Sequence, residues 1–343
     1  MDGEKAGHNN YSMSHLSVAL TTTEETGITD GDVITSGSSP GIKFYFVVAV
    51  VIIGVFGTAA NGLILYAMVA SKQHKKHVSI VHQNVLDLIS CFLLIICYSL
   101  RLCCNISLTG FTGYWYPILL IIFDNTLYLV CYVSIINLAI IAVERYLKVV
   151  HPVWSKKKLR NWMIYSAMAL DWIASIAYTL SLMFPTTVVP DGNCDAAIYT
   201  SESAHFVQLL WDVFSFYFII VLILILCYWR ILVAIRRQAT VMAGHSAAGS
   251  GAGQAQSNQI QTSVIKTMIL VCAFYTIFWF PVNTVFLLWA FAPDMQLDTP
   301  YYISMFLVFT YICANPFIYA SKFDPVKRVL IGMIPCKKMT EQH

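Results

Sequence analysis

Seven long apolar runs constrain this chain more than any other feature. They cover residues 43–70, 78–102, 115–149, 160–184, 205–235, 262–291 and 299–320. A hydrocarbon layer about 30 Å thick takes roughly 20 residues of helix at about 1.5 Å each. In lipid every backbone N–H and C=O must find a partner within the protein, and runs this long and unbroken suit helices, not barrel strands. Composition agrees: 58% of the 343 residues are hydrophobic and 11% are charged, against about 25% charged in soluble domains. The sequence therefore predicts an all-α membrane protein, a seven-transmembrane helix bundle forming one domain over 43–320.

The basic residues set the orientation. Of 21 Lys and Arg, all but Lys5, Lys43 and Arg101 fall on one side of the predicted spans. The positive-inside rule makes that side cytoplasmic, which puts the N-terminus outside and the C-terminus inside. An odd number of spans is then required. The net charge of +3 reflects this polarity and carries no sign of nucleic-acid binding.

Residues 1–42 are polar, acidic and rich in Ser, Thr and Gly, and are expected to be disordered. No apolar h-region precedes Phe44, so the first span is expected to act as an uncleaved insertion signal. Two glycosylation sequons, at Asn10 and Asn105, both fall on the predicted outside. The segment 238–259, rich in Ala, Gly, Ser and Gln, reads as a flexible third cytoplasmic loop. Within 321–343, SKFDPVKRVLIGMI reads as a short amphipathic helix on the inner membrane surface, followed by a tail. Cys336 beyond it is either an acylation site or a plain thiol.

Ionisable groups inside spans are costly and are functional candidates by default. Asp87 sits in the middle of the second span, and its plainer reading is a neutral carboxyl bonded to neighbouring helices. Asn61, Ser134 and Asn315 could supply its partners. Pro281 and Pro316 each remove a backbone donor from a spanning helix and permit a kink. Glu144 and Arg145 stand where the third span leaves the hydrocarbon. An edge cation follows from the positive-inside rule, but an acid on that basic face does not; only Glu144, Asp324 and Glu341 are acidic there.

These landmarks together resemble the rhodopsin-like (class A) G protein-coupled receptors, over about residues 43–334. The likeness rests on Asn61 in FGTAANGLIL, Asp87 in NVLDLIS, Glu144-Arg145-Tyr146 with Pro152 beyond, Trp172, Tyr228, Trp279-Phe280-Pro281 with Tyr275 below, and Asn315-Pro316-Phe317-Ile318-Tyr319. It implies a receptor, not an enzyme, that couples an extracellular ligand to a heterotrimeric G protein, with arrestin as a further partner. In that scheme Glu144 holds Arg145 at rest, and outward movement of the sixth helix lets Arg145 reorganise with Tyr228 and Tyr319. Asp87, Ser134 and Asn315 would correspond to the family's sodium pocket, and Trp279 beside Pro281 to its rotamer switch.

Departures from the family pattern carry their own expectations. The position of the usual third-helix cysteine is Leu120, so Cys194 would pair instead with Cys103 or Cys104, if the Cα atoms come within ~7 Å. Ile220 replaces the fifth-helix proline, which implies a straighter helix. Tyr311 and Ile312 replace polar residues near the sodium site and put sodium binding in doubt. Gln261 replaces the acid that often clamps the motif arginine, which implies basal signalling.

The ligand is bounded by what is missing. Leu127 stands where amine receptors carry an Asp, and Phe309 where opsins carry the retinal-bearing Lys. Helical spacing places Tyr98, Asp124, Tyr128, Asp212, Asn283, Phe286, Tyr302 and Phe306 around a pocket above Trp279, and Leu127 is counted with them. With Asp191, Asp195, Glu202, Asp294 and Asp298 in the outer loops, the acids would form a vestibule attractive to a cation, here a basic or amidated neuropeptide. Solvated loop acids without that role, and a small non-aminergic ligand, are the alternatives. A channel or transporter would need a lined path or paired broken helices, and only isolated polar positions occur. His74, His77 and His82 read as solvated, interfacial side chains and not as metal ligands.

Overall fold

The computed structural model describes residues 40–75, 77–103, 111–183, 186–188, 197–199, 202–245, 252–322 and 324–333. Asn10, Asn105, Cys104, Cys194, Asp191, Asp195 and Cys336 lie outside them, as do the side chains of Cys103, Glu202, Gln261 and Tyr319. Among the described residues, seven helices are long and apolar enough to cross a membrane. The first three are α1 (Pro40–Ala70), α2 (Val78–Cys103) and α3 (Phe111–Val150). A short α4 (Pro152–Lys158), begun by a proline whose absent N–H costs nothing in a first turn, lies before the fourth span, α5 (Asn161–Met183). The fifth comprises α6 (Glu202–Asp212), a π-helical turn (Val213–Phe218) and α7 (Ile219–His245). The last two are α8 (Ala252–Phe291) and α9 (Asp298–Lys322), followed by α10 (Asp324–Gly332). Between α5 and α6, β1 (Thr186–Val188) and β2 (Ala197–Tyr199) pair antiparallel, with Thr187 opposite Ile198.

Packing follows chain order. α1 packs on α2 and α9, α2 on α3, α3 on α5 and α7, and α8 on α9. The inward faces bury Val50, Leu94, Val133, Ile141, Ile231 and Val271 completely. Large apolar side chains such as Phe56, Leu170, Leu222 and Phe280 stay exposed on the outside, as a lipid-facing surface requires. At Gly57 the three helices α1, α2 and α9 approach so closely that a Cβ would stand 2.6 Å from the Sγ atoms of Cys91 and Cys313. In α10, Val326 is buried while Lys327 and Arg328 are exposed, which is the amphipathic pattern expected.

Two elements differ from a plain reading of the sequence. The fifth span is not a regular α-helix even without a proline: the Ile219 N–H bonds to the carbonyl of Phe214, five residues back. One extra residue in a turn breaks the helical register without a missing donor. Nor is 238–259 a free linker throughout, because α7 runs to His245 and α8 begins at Ala252. Ala and Gln are good helix formers, and here they extend spans already nucleated by packing.

Candidate functional site

A chain of buried polar side chains runs along α2 and α3 from mid-span to the end of α3 that leads into α4. Asn315 Nδ2 donates to Asp87 Oδ2 at 2.8 Å, and Gln83 Nε2 donates to Asp87 Oδ1 at 3.1 Å. Ser134 Oγ also points at that oxygen, at 3.4 Å, and accepts from Gln83. Gln83 Oε1 in turn accepts from Asn137 Nδ2 at 2.8 Å, and Asn137 reaches the backbone oxygen of Ser79 at 3.3 Å. The Ser79 hydroxyl donates to Glu144 Oε2. Low local dielectric strengthens each bond and makes any unpaired member costly. Within the chain, Asn315 Oδ1 is buried without a donor among the described residues.

At that end Glu144 Oε1 meets two cations, Arg145 Nη2 at 3.3 Å and Lys148 Nζ at 2.5 Å. Arg145 Nη2 also lies 3.4 Å from His77 Nδ1, and its Nε is buried without an acceptor among the described residues. Glu144 and Arg145 are both buried, with side-chain exposures of 5% and 7%, so the pair is protein-enclosed and not a solvated edge. Tyr146 turns outward to His151, 3.1 Å away. Tyr228 is buried and lies beside Cys272 on α8. The histidines correct the reading of solvated loop residues. His82 Nδ1 lies 3.1 Å from Asn137 Oδ1, and its Nε2 accepts from Trp172 Nε1 at 3.1 Å, so His82 ties the fourth span to the chain.

Toward the other end a cavity of about 70 Å³ is lined by Leu127, Tyr128, Asp212, Trp279, Asn283 and Phe286, all six among the expected pocket residues. Tyr132, Phe216, Met305 and Phe309 also line it and were not foreseen. Tyr98, Asp124, Tyr302 and Phe306 belong elsewhere. Tyr98 and Tyr302 pack on Phe46, with ring centroids 5.7 and 5.1 Å away, and Phe306 packs on the general core. Asp124 is paired with Arg101 across α2 and α3, and the Arg101 guanidinium lies 5.1 Å from the Tyr98 ring centre. Asp124 is therefore not an unpaired acid in a cation-seeking vestibule: the last turn of α2 carries its base into the bundle.

The π-helical turn and the Pro281 region are bonded to each other. Tyr275 donates to the carbonyl of Phe216, and Tyr217 donates to the carbonyl of Thr276 at 3.1 Å. Irregular turns expose carbonyls that a regular helix would use, and tyrosine hydroxyls from the facing helix satisfy them. Tyr275 also touches Trp279 and Tyr311, at 5.7 and 5.9 Å between ring centres.

A signal for some of the missed residues was present. Gln83 precedes Asp87, and Gln208 precedes Asp212, at the i,i+4 spacing that brings side chains together on a helix. For Arg101 with Asp124, or Trp172 with His82, no local pattern exists.

The profile of the 7 transmembrane receptor (rhodopsin family) matches residues 60–319. The chain belongs to the rhodopsin family of seven-transmembrane receptors. Members of this family are signalling receptors and not enzymes, and G protein coupling is general among them. Curated relatives include melanopsin of Phodopus sungorus, 28% identical over 59% of this chain and 44% of that protein. C-C chemokine receptor type 8 of Mus musculus is 26% identical over 58% and 55%. The substance-K receptor of Bos taurus is 25% identical over 55% and 50%. The receptor thus spans about half the length of the curated relatives it matches. Squid rhodopsin shares its fold, with a TM-score of 0.67 over 88% of this chain and 90% of that one at 18% identity.

Proposed function

We propose that this receptor carries an extracellular ligand signal to a heterotrimeric G protein through outward movement of α8, with its N-terminus outside and its C-terminus in the cytoplasm. The observation that carries the reading is the enclosed Glu144–Arg145 pair, which retains an unused Arg145 donor and connects through Ser79, Asn137 and Gln83 to Asp87. A buried polar chain that joins the middle of the bundle to the arginine end offers a route for ligand-driven population shift. Release of Glu144 would free Arg145 for Tyr228 and Tyr319 and for the incoming G protein; arrestin would use the same inner face. Gln261, at the position where the family often carries an acid, has no charge with which to clamp the arginine, which favours basal signalling.

The ligand we favour is a basic or amidated neuropeptide, in keeping with relatives named for a chemokine and for substance K. Phe309 at the position of the opsin lysine argues against a retinal Schiff base despite the likeness to melanopsin. A second reading, a small non-aminergic ligand, is favoured by the modest cavity of about 70 Å³. Nucleotide exchange on a co-expressed G protein tests the proposal: exchange above that of mock-transfected cells, reduced by Arg145→Ala, is expected. Exchange equal to mock in the resting state and with every peptide extract applied would refute it.

A further inference from the structure

Asp212 is a carboxylate that the bundle leaves without a base. Glu144 is met by Arg145 and Lys148, and Asp124 by Arg101. Asp212 receives only neutral donors, from Tyr132 at 3.5 Å, from Tyr178 and from Gln208. No cationic side chain pairs with it among the described residues. It is half-buried and is the one acidic side chain among the described residues lining the 70 Å³ cavity.

The surroundings of that carboxylate are aromatic. The Tyr132 and Phe216 ring centres lie 4.4 Å apart, and Tyr178 packs 4.9 and 4.8 Å from them. Electron-rich ring faces attract organic cations, Trp most strongly, and Trp279 lines the same cavity. Trp279 Nε1 is itself buried with no acceptor among the described residues. A buried unpaired donor calls for an acceptor from elsewhere. The cavity thus offers, within one space, a carboxylate lacking a cation and an indole N–H lacking an oxygen. One water needs about 10–15 Å³ of such space, so the volume admits roughly five water-sized groups. That suits the end of a ligand and not a whole peptide. Behind Asp212, a shallower groove of about 550 Å³ between the fourth and fifth spans is lined by Tyr178 and Gln208, two of its donors.

We infer that Asp212 anchors the organic ammonium end of this receptor's ligand against the Tyr132 and Phe216 rings, with an acceptor atom of the same ligand reaching Trp279 Nε1. The inference rests on the receptor reading above and names the chemistry its ligand carries. The anchor stands on the fifth span, beside the π-helical turn that aims it inward, and not on the third, where Leu127 is apolar. The ammonium belongs either to a lysine or amino terminus of a peptide or to a small amine held from the fifth span. The latter mode is unlike the third-span one that Leu127 argues against, and the two sources share this contact.

The test uses the purified full chain and reads thermal unfolding with n-butylammonium chloride, N-acetyl-lysine methylamide, butan-1-ol and, for ionic strength, sodium chloride. Either ammonium compound should raise the midpoint by about 3 °C near ten times its dissociation constant. Butan-1-ol and sodium chloride should not, and Asp212→Asn should lose the shift. The stronger of the two ammonium compounds identifies the source. Equal shifts with butan-1-ol, no shift with either ammonium, or a shift retained in Asp212→Asn overturns the anchor. Charge selectivity on the unaltered chain decides the matter even if Asp212→Asn fails to fold. Nucleotide exchange on purified G protein is measured in parallel. Exchange without an ammonium-selective shift removes the anchor alone, whereas the shift without any exchange removes the coupling reading and leaves the anchor standing.

Discussion

Gln83 Nε2 lies 3.1 Å from Asp87 Oδ1, one helical turn away on α2. The amide occupies a position where a cation could otherwise neutralise the carboxylate, and it also holds Ser134 and Asn137. Tyr311 and Ile312, both buried nearby on α9, add no further charged ligand. The expected outcome is a receptor indifferent to sodium: its unfolding midpoint should be the same in sodium chloride and choline chloride. Gln83→Leu should strip Ser134 and Asn137 of partners, cost about 1–3 kcal/mol and introduce sodium dependence. A sodium-dependent midpoint in the unaltered chain would show that the amide does not fill that role.

The enclosed Glu144–Arg145 pair predicts a signalling phenotype. Glu144→Gln keeps the shape and removes the charge, so Arg145 should spend more time in the active packing. A coupling of about 1–3 kcal/mol would raise basal nucleotide exchange roughly 5-fold or more. Basal exchange unchanged from the parent would make the pair a marker of the membrane boundary and nothing else.

Arg101 and Asp124 should behave as a unit. Arg101→Ala leaves a largely enclosed carboxylate alone, and breaking such a pair from one side costs about 3–5 kcal/mol. Surface yield and thermal midpoint should both fall. The double variant Arg101→Ala with Asp124→Ala should recover much of the loss, and a double-mutant cycle measures the coupling. Additive losses would mean that the two side chains act independently.

Gly57 offers a packing test remote from both sites. Ala there places a Cβ 2.6 Å from two sulfur atoms, and overpacking of this kind costs about 1–3 kcal/mol. Adding Cys91→Ala and Cys313→Ala should restore part of the midpoint. A Gly57→Ala chain as stable as the parent would show that the three helices separate easily.

Much of the architecture was legible because the forces that set it are local. Roughly twenty apolar residues in a row suffice to define a spanning helix, and each predicted run lies within or close to an observed one. The proline at 281 and the Asn315-Pro316 pair announced themselves by chemistry alone. The π-helical turn did not, because Ile220 removes the one residue whose geometry would have signalled an irregularity. The helical extension into 238–259 was hidden for the opposite reason, since Ala and Gln are as common in linkers as in helices.

The acids mark the boundary between what the sequence determines and what packing decides. Sequence alone placed Asp87, Asp124, Asp212 and Glu144 on spanning helices, and the adjacent Arg145 made one partner readable. Which of the others would be neutralised depended on residues brought together only by the bundle. Arg101 is 23 positions from Asp124 and on another helix, while Tyr178 and Tyr132 reach Asp212 from two further helices. Hydrophobic periodicity is a property of neighbours along the chain, but a buried charge is satisfied by whatever stands opposite it in space. For that reason the seven spans were written in the sequence, and the carboxylate left open beside the cavity was decided by the tertiary structure.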